Sequence, residues 1–389
     1  MKSLEALRAN DHLEALRATG RDATEVAAHP RPTVGLLERS LGVLWWTARF
    51  VLALFLFVGA LQLMKTGAAG LEVLQNKGAL VANPGATLGL GWIGALFVLS
   101  GSPMAASALT LVAADSITEI EGFTMLTGSR LGAAFVVLVV AVIYALRGGR
   151  GERVKPVSTA VMALSTTALI YLPAAAIGFF LLRVPMRGLD ISFGHQFADL
   201  IDLVYGGLLG RVESLPGGVI FLGGLALLLV TFKLLDSVMP TLDEKTIGST
   251  LMGWVSKKWP MFALGCLVAL ITMSVSVALT VLVPLVAKRY VRREDILPYI
   301  MGANITTLGD TLLAAFLLDS AAAVRIVLAG IAGTTVVSVV LLALVYPQVR
   351  RGLWRFQRQM VRGRVRLGAF TAGLFLVPLA IVAVSGWAS

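Results

Sequence analysis

Charge and thiols are what this sequence has least of. Charged residues make up 14% of the chain, against roughly 25% in a soluble globular domain. A single cysteine, Cys266, excludes an internal disulfide and any site built from several thiolates. Three scattered histidines, His12, His29 and His195, leave little for histidine ligation. The apolar segments show no carboxylate pair, no nucleophile with a base and no metal-ligating cluster, so an enzyme is the least expected reading and no metal site is expected.

Apolar residues are what the chain has in excess. They form 57% of its 389 residues, and the mean hydropathy is +0.85, the composition of a multi-spanning membrane protein. The net charge of +11 would suggest nucleic acid in a soluble chain. Here the basic residues cluster between apolar segments and read as cytoplasmic loops, so nucleic acid is not an expected partner. The first 42 residues carry six basic and six acidic side chains and no apolar run. No cleavable signal peptide is visible there, and the N-terminus is expected to stay cytoplasmic. The hexapeptide LEALRA occurs twice, at Leu4 to Ala9 and Leu13 to Ala18, the pattern of an amphipathic helix.

A hydrocarbon core about 30 Å thick requires about 20 apolar residues per spanning helix. Segments 43–64, 157–182, 217–235, 321–346 and 367–385 meet that length. A sixth, Leu131 to Leu146, must borrow turns from about Gly122, and a seventh, 297–318, is interrupted by Asn304, Thr306, Thr307 and Asp310. Ala86 to Leu99 and Pro260 to Met273 are too short to span, and each meets a break followed by another short apolar run. Paired short segments of this kind predict re-entrant hairpins. The breaks are Ser100, Gly101, Ser102, Pro103 and Ser274, Val275, Ser276.

One constant offset, the one that lays Gly128 on Gly302, aligns the first break with the second without a gap. Ser100 then meets Ser274, Ser102 meets Ser276, and Leu111 to Ala113 meets Leu285 to Ala287, which points to an internal repeat. Loop charge sets its orientation. The loop after the first hairpin is acidic (Asp115, Glu119, Glu121), whereas its equivalent is basic (Lys288, Arg289, Arg292, Arg293), so the two are expected on opposite sides. The loop 147–155, with Arg147, Arg150, Arg153 and Lys155, and the loop 350–366, with seven arginines and no acid, read as cytoplasmic. The near-neutral region 184–216 reads as external.

The expected architecture is an all-α integral membrane protein with inverted structural repeats, each containing a re-entrant helical hairpin broken at a serine motif. Residues 1–42 form a cytoplasmic amphipathic segment, 43–182 repeat one, 183–216 an external connector and 217–346 repeat two. Residues 347–389 add an Arg-rich cytoplasmic loop and a last spanning helix outside the symmetry. In inverted-repeat transporters the substrate sits where broken helices present backbone groups near the midplane. Hydroxyls and free N–H groups suit an oxyanion, and carbonyls, hydroxyls and amides suit Na⁺. The alternative for such Ser and Thr is that they satisfy backbone carbonyls or help helices pack.

The run Gly302, Ala303, Asn304, Ile305, Thr306, Thr307, followed by Asp310 and Thr311, is the most polar stretch in an apolar setting. With it the chain resembles the type II sodium/phosphate cotransporters, whose duplicated unit has a Gln-Ser-Ser-Ser break followed, at a fixed spacing, by Gly-Ala-Asn-Ile-Gly-Thr-Thr. Measured back from Gly302 by that spacing the break reads Met273, Ser274, Val275, Ser276, and from Gly128 it reads Leu99, Ser100, Gly101, Ser102. The resemblance extends to Leu54–Leu71 (LFLFVGALQLMKTGAAGL) and Asn83–Pro84, covering most of 43–346. The first Asn-containing motif has become Gly128, Ser129, Arg130, Leu131.

What the resemblance implies is Na⁺-coupled symport of inorganic phosphate, or a related oxyanion, across the plasma membrane. The implied substrate and ion site comprises Ser100, Ser102, Arg130, Ser274, Ser276, Asn304, Thr306, Thr307, Asp310 and Thr311, with Na⁺ contacts among Ser276, Asn304, Thr306 and Thr307. A separate phosphate-regulator-like protein is an implied partner. Arg130 stands where the family has Asn, and an intramembrane Arg is costly and a functional candidate. It either supplies a bidentate fork and substitutes for a coupling Na⁺, or faces external headgroups or pairs with Glu119 or Glu121. Arg325, six residues after Asp319, reads as interfacial, as do Lys233 and Asp236 on the cytoplasmic side. The arginines of 350–366, with Trp354 and Phe356, read as binding anionic lipid headgroups. Two competing readings stay open: a non-transporting membrane sensor or assembly protein, and a transporter of another small anion.

Overall fold

A computed structural model describes residues 36–71, 83–147, 154–186, 188, 191, 195–238, 257–288, 291–293 and 295–387. Among these the chain is helical, with no strand. The chain divides into two compact units, Met1–Arg49 and Phe50–Ser389, and the helix core and the clefts belong to the second. The LEALRA pair lies outside the described residues.

Seven stretches are long and apolar enough to cross a membrane: Leu44–Ala69, Glu119–Arg147, Lys155–Arg183, Gly217–Val238, Leu297–Leu317, Ala321–Ala343 and Arg364–Gly386. Each overlaps one of the seven expected spans. In a bilayer no water satisfies backbone groups, so apolar runs of this length close their hydrogen bonds internally as helices. The first is part of α1 (Leu36–Ala69), which begins ahead of the expected boundary at 43.

Two short helices follow, α2 (Pro84–Val98) and α3 (Ser102–Ala113), then α4 (Glu119–Ala133), α5 (Phe135–Arg147) and α6 (Val154–Arg183). Asn83 starts α2 by accepting from the N–H groups of Gly85 and Ala86. Thr118 and Glu121 close a reciprocal capping box on α4. The expected connector 183–216 holds a helix of its own, α7 (His195–Val212), and Tyr205 of α7 donates to the Phe55 carbonyl at 2.7 Å. The second half has α8 (Gly217–Val238), α9 (Lys258–Thr272), α10 (Val275–Thr280), α11 (Leu282–Ala287), α12 (Leu297–Thr306), α13 (Gly309–Leu317) and α14 (Ala321–Ala343). The chain continues through α15 (Tyr346–Arg362), rich in arginine, and α16 (Arg364–Trp387), which meets α2 where Asn83 Nδ2 donates to the Ser385 carbonyl at 2.8 Å.

Local structure recurs at the same offset that aligns Gly128 with Gly302. It carries both ends of α2 onto both ends of α9, Pro84 onto Lys258 and Val98 onto Thr272, and the start of α5 at Phe135 onto the start of α13 at Gly309. Both short helices stop on a left-handed residue, Leu99 (φ 56°) and Met273 (φ 46°). The closest helix approaches recur too. A Cβ on Gly91 would lie 2.1 Å from the Met125 carbonyl oxygen, and one on Gly265 would lie 2.0 Å from that of Tyr299. A Cβ on Gly128 would meet Leu88 O at 2.0 Å, and one on Gly302 would meet Phe262 O at 2.1 Å. Helices α1 and α8 run in opposite directions against each other: Gly67 abuts Phe221 and Gly217, Gly224 abuts Met64, and the Phe57 and Phe232 rings meet edge-on at 5.5 Å.

Two main apolar cores result. One joins residues of α1, α3, α4, α13 and α14 around Leu109, Phe123 and Val327. The other joins α5, α6 and α9 to α12 around Met162, Leu282 and Tyr299.

Candidate functional site

Leucine and methionine carry a steric penalty of roughly 1–2 kcal/mol in the left-handed region, so Leu99 and Met273 are held there by their surroundings. Each ends a helix and turns the chain sharply into the serine that follows. Strained backbone of this kind collects at functional positions, and here it occurs twice at equivalent places. The two turns border one cleft of about 450 Å³, lined by Ser100, Ser102, Met273 and Ser274 together with Lys233 and Asp236 of α8.

The cleft chemistry suits a small anion. Ser100 and Ser102 make no side-chain hydrogen bond among the described residues, leaving their hydroxyls to a ligand. Ser102 opens the twelve-residue helix α3, whose first N–H groups carry the positive end of its dipole. Lys233 and Asp236 of α8 both line the cleft and bring one positive and one negative charge to it. Ser274 is partly engaged, accepting from Val277 N at 3.4 Å. Ser276 lies in α10, and its side chain is outside the described residues.

Lys233 and Asp236, interfacial by sequence, both line the cleft in the structure. The offset between the halves brings Gln62 of α1 onto Asp236, so a polar residue at one position in two apolar helices is the signal that points there.

A second, buried group of polar residues lies behind the turns. Arg130, on α4, is 1% exposed and is the largest fully buried side chain among the described residues. Its Nη2 donates to Thr311 Oγ1 and lies 3.6 Å from Asp310 Oδ1, to which Thr311 Oγ1 donates at 2.8 Å. Arg130 Nε and Nη1 and Asp310 Oδ2 are buried without a hydrogen-bond partner. Asp310 and Asp236 also border a small cavity of about 50 Å³ with Thr272 and Met273, at the C-terminal end of α9. Folding therefore brings together two carboxylates that are distant in sequence, at a helix end whose dipole favours a cation.

No family model, curated protein or solved structure matches the chain. The site rests on this geometry, and the geometry divides the expected residues. Arg130, Asp310 and Thr311 come together, and Ser100, Ser102 and Ser274 share the cleft. Asn304, Thr306 and Thr307 border neither the cleft nor the small cavity. Asn304 Nδ2 donates to Thr167 Oγ1 (3.2 Å) and the Ile300 carbonyl (2.9 Å), while its own backbone carbonyl accepts from Tyr171 at 2.8 Å. Thr306 donates to the Cys266 carbonyl at 2.8 Å and Thr307 to the Asn304 carbonyl at 3.3 Å. These groups tie α12 to α6 and α9, the packing role that is the alternative for polar residues in membrane helices.

Arg130 is buried and does not reach Glu119 or Glu121 of the acidic loop, both of which are engaged elsewhere. Glu119 pairs with Arg325, and Glu121 accepts from the Thr118 backbone N–H at 2.7 Å. Arg325 thus joins α14 to the start of α4.

Proposed function

We propose that the chain is a secondary active transporter that carries inorganic phosphate, or a related oxyanion, together with Na⁺ across the plasma membrane. The observation that carries this reading is the cleft where two equivalent strained turns present serine hydroxyls beside Lys233. The recurrence of helix bounds, turns and glycine contacts supports a duplicated unit. The opposed directions of α1 and α8 support its inversion, with α2–α3 and α9–α11 as re-entrant hairpins. In this scheme the anion binds Ser100, Ser102 and Lys233 in the cleft. The coupling cation binds beside the anion at Asp236 and Asp310, where Arg130 already offsets part of the carboxylate charge and weakens its hold, and not among the Asn304–Thr307 groups.

The engagement of Asn304, Thr306 and Thr307 within the helix packing favours a second reading, a membrane sensor or assembly protein that no longer transports. Uptake of labelled phosphate into proteoliposomes, with and without a Na⁺ gradient, separates the two. Apparent affinity for phosphate is expected to fall about tenfold or more in Lys233→Gln and in Ser102→Ala, since a hydrogen bond to a charged group contributes roughly 1.5–3 kcal/mol. Absence of uptake by a well-folded wild type would favour the sensor, and uptake indifferent to both substitutions would move the anion out of the cleft.

Orientation has its own test. In a Cys266→Ala background, single cysteines at Asp115 and Arg292, both exposed, are expected to react with an impermeant maleimide from opposite faces of the membrane. Labelling of both from one face rules out the inverted repeat.

A further inference from the structure

The Arg-rich helix α15 builds a second cleft, unrelated to the transport site. It joins the apolar helices α14 and α16, so it lies at a membrane surface, and the charge rule makes that surface cytoplasmic. Leu353 and Trp354 pack onto the second apolar core, and the Phe356 ring meets Phe370 of α16 at 6.1 Å. This docking turns Arg358 and Arg362 toward Arg293 of the segment after α11 across a cleft of about 520 Å³. The remaining lining is Trp354, Val361 and Gln357, the last a polar side chain only 4% exposed.

Among the described lining residues the charges are unbalanced. Asp295, two residues from Arg293, lies 3.5 Å from Arg350 instead. Among the described residues no carboxylate pairs with Arg293, Arg358 or Arg362. Two of the three guanidiniums are held in place: Arg293 Nη1 donates to Ser158 Oγ at 2.8 Å, and the Arg358 guanidinium stacks over the Trp354 ring at 5.0 Å. Planar forks arranged around one opening match phosphate oxygens, and Trp354 and Val361 give the opening an apolar wall.

We propose that this cleft binds the headgroup of an anionic glycerophospholipid, its phosphate held by Arg293, Arg358 and Arg362 and its glycerol end against Trp354 and Val361. A lipid fits better than free phosphate because the cleft sits at the level of the headgroups and combines charge with an apolar wall. Basic pockets on the cytoplasmic side of membrane proteins capture such headgroups, and each basic residue near an anionic leaflet contributes about fivefold in affinity.

The test is lipid binding to the purified full chain in neutral detergent, read by native mass spectrometry and thermal unfolding. The probes are phosphatidylglycerol, phosphatidylcholine and, separately, inorganic phosphate. Phosphatidylglycerol is expected to bind and raise the unfolding temperature, and phosphatidylcholine to do neither. Arg358→Gln/Arg362→Gln, which leaves the Arg293–Ser158 bond intact, is expected to weaken phosphatidylglycerol binding at least tenfold. The charge-matched control Arg355→Gln/Arg366→Gln alters exposed arginines outside the cleft and is expected to change it less than threefold. Equal losses in the two double variants would mean diffuse attraction and overturn the site. Stabilisation by inorganic phosphate that Arg358→Gln/Arg362→Gln abolishes, and that phosphatidylglycerol does not reproduce, would overturn the lipid assignment.

Discussion

Replacing Arg130 with asparagine is expected to destabilise the protein by about 3–5 kcal/mol, the usual cost of removing one partner from a buried ion pair. Asp310 is 5% exposed, and its Oδ2 already lacks a partner. Without Arg130 the carboxylate would keep only the Thr311 hydroxyl at 2.8 Å. The cavity of about 50 Å³ beside it is large enough to admit water, which sets the expectation at the lower end of that range. The double variant Arg130→Asn/Asp310→Asn removes both charges and is expected to recover most of the loss in thermal or denaturant unfolding.

The same substitution tests the coupling ion. A fixed guanidinium at 3.6 Å from Asp310 repels a cation at that carboxylate. Arg130→Asn should therefore make the unfolding temperature rise more steeply with Na⁺ than it does in the wild type, and make uptake depend more steeply on Na⁺. A single variant as stable as the wild type would show that the pair does not hold the fold, and one whose Na⁺ response is unchanged would show that Arg130 does not occupy a cation's place.

Hydropathy makes the seven spans legible, because a bilayer demands length and apolarity and tolerates little else. The breaks are legible for the converse reason: serine between two short apolar runs is costly there unless it has a use. Which way each helix faces is not legible. A soluble helix announces its buried side by segregating polar from apolar residues, whereas a spanning helix is apolar all round. Lys233 and Asp236, near the end of such a helix, read as interfacial, since nothing in α8 alone says that its neighbour on that side is a cleft. The stretch 350–366 reads as an Arg-rich loop because its charge hides the pattern, yet most of it is the helix α15, with Leu353 and Trp354 packed on the core.

Pairing across long sequence distance is equally out of reach. Arg130 and Asp310 each stand out in the sequence, but their contact depends on how α4 and α13 are packed. The polar run at Asn304 shows the converse. Its composition suggests ligand groups, yet an amide in a low-dielectric interior takes whatever partner the neighbouring helix offers, and α6 offers Thr167. Sequence establishes that such groups need partners. It does not say whether the partner is a ligand or another helix.

Gly128 and Gly302 are expected to be among the least replaceable positions in the chain, and to be so equally. A methyl group on Gly128 would lie 2.0 Å from Leu88 O, and one on Gly302 would lie 2.1 Å from Phe262 O. Both obstacles are backbone, so a rotamer change cannot relieve them and the helix pairs α2–α4 and α9–α12 must separate. Overpacking costs typically about 1–3 kcal/mol and occasionally more; clash with main chain puts Gly128→Ala and Gly302→Ala at the upper end, about 3 kcal/mol each. Alanine is the better helix former by about 0.5–1 kcal/mol, so the same change at Gly223, where a Cβ meets nothing within 4 Å, is expected to be neutral or slightly stabilising. Thermal unfolding of the three single variants measures the contrast. Losses at Gly128 and Gly302 no greater than at Gly223 would mean that neither helix pair is in close contact. A large loss at only one would mean that the two halves, though alike in sequence, are not packed alike.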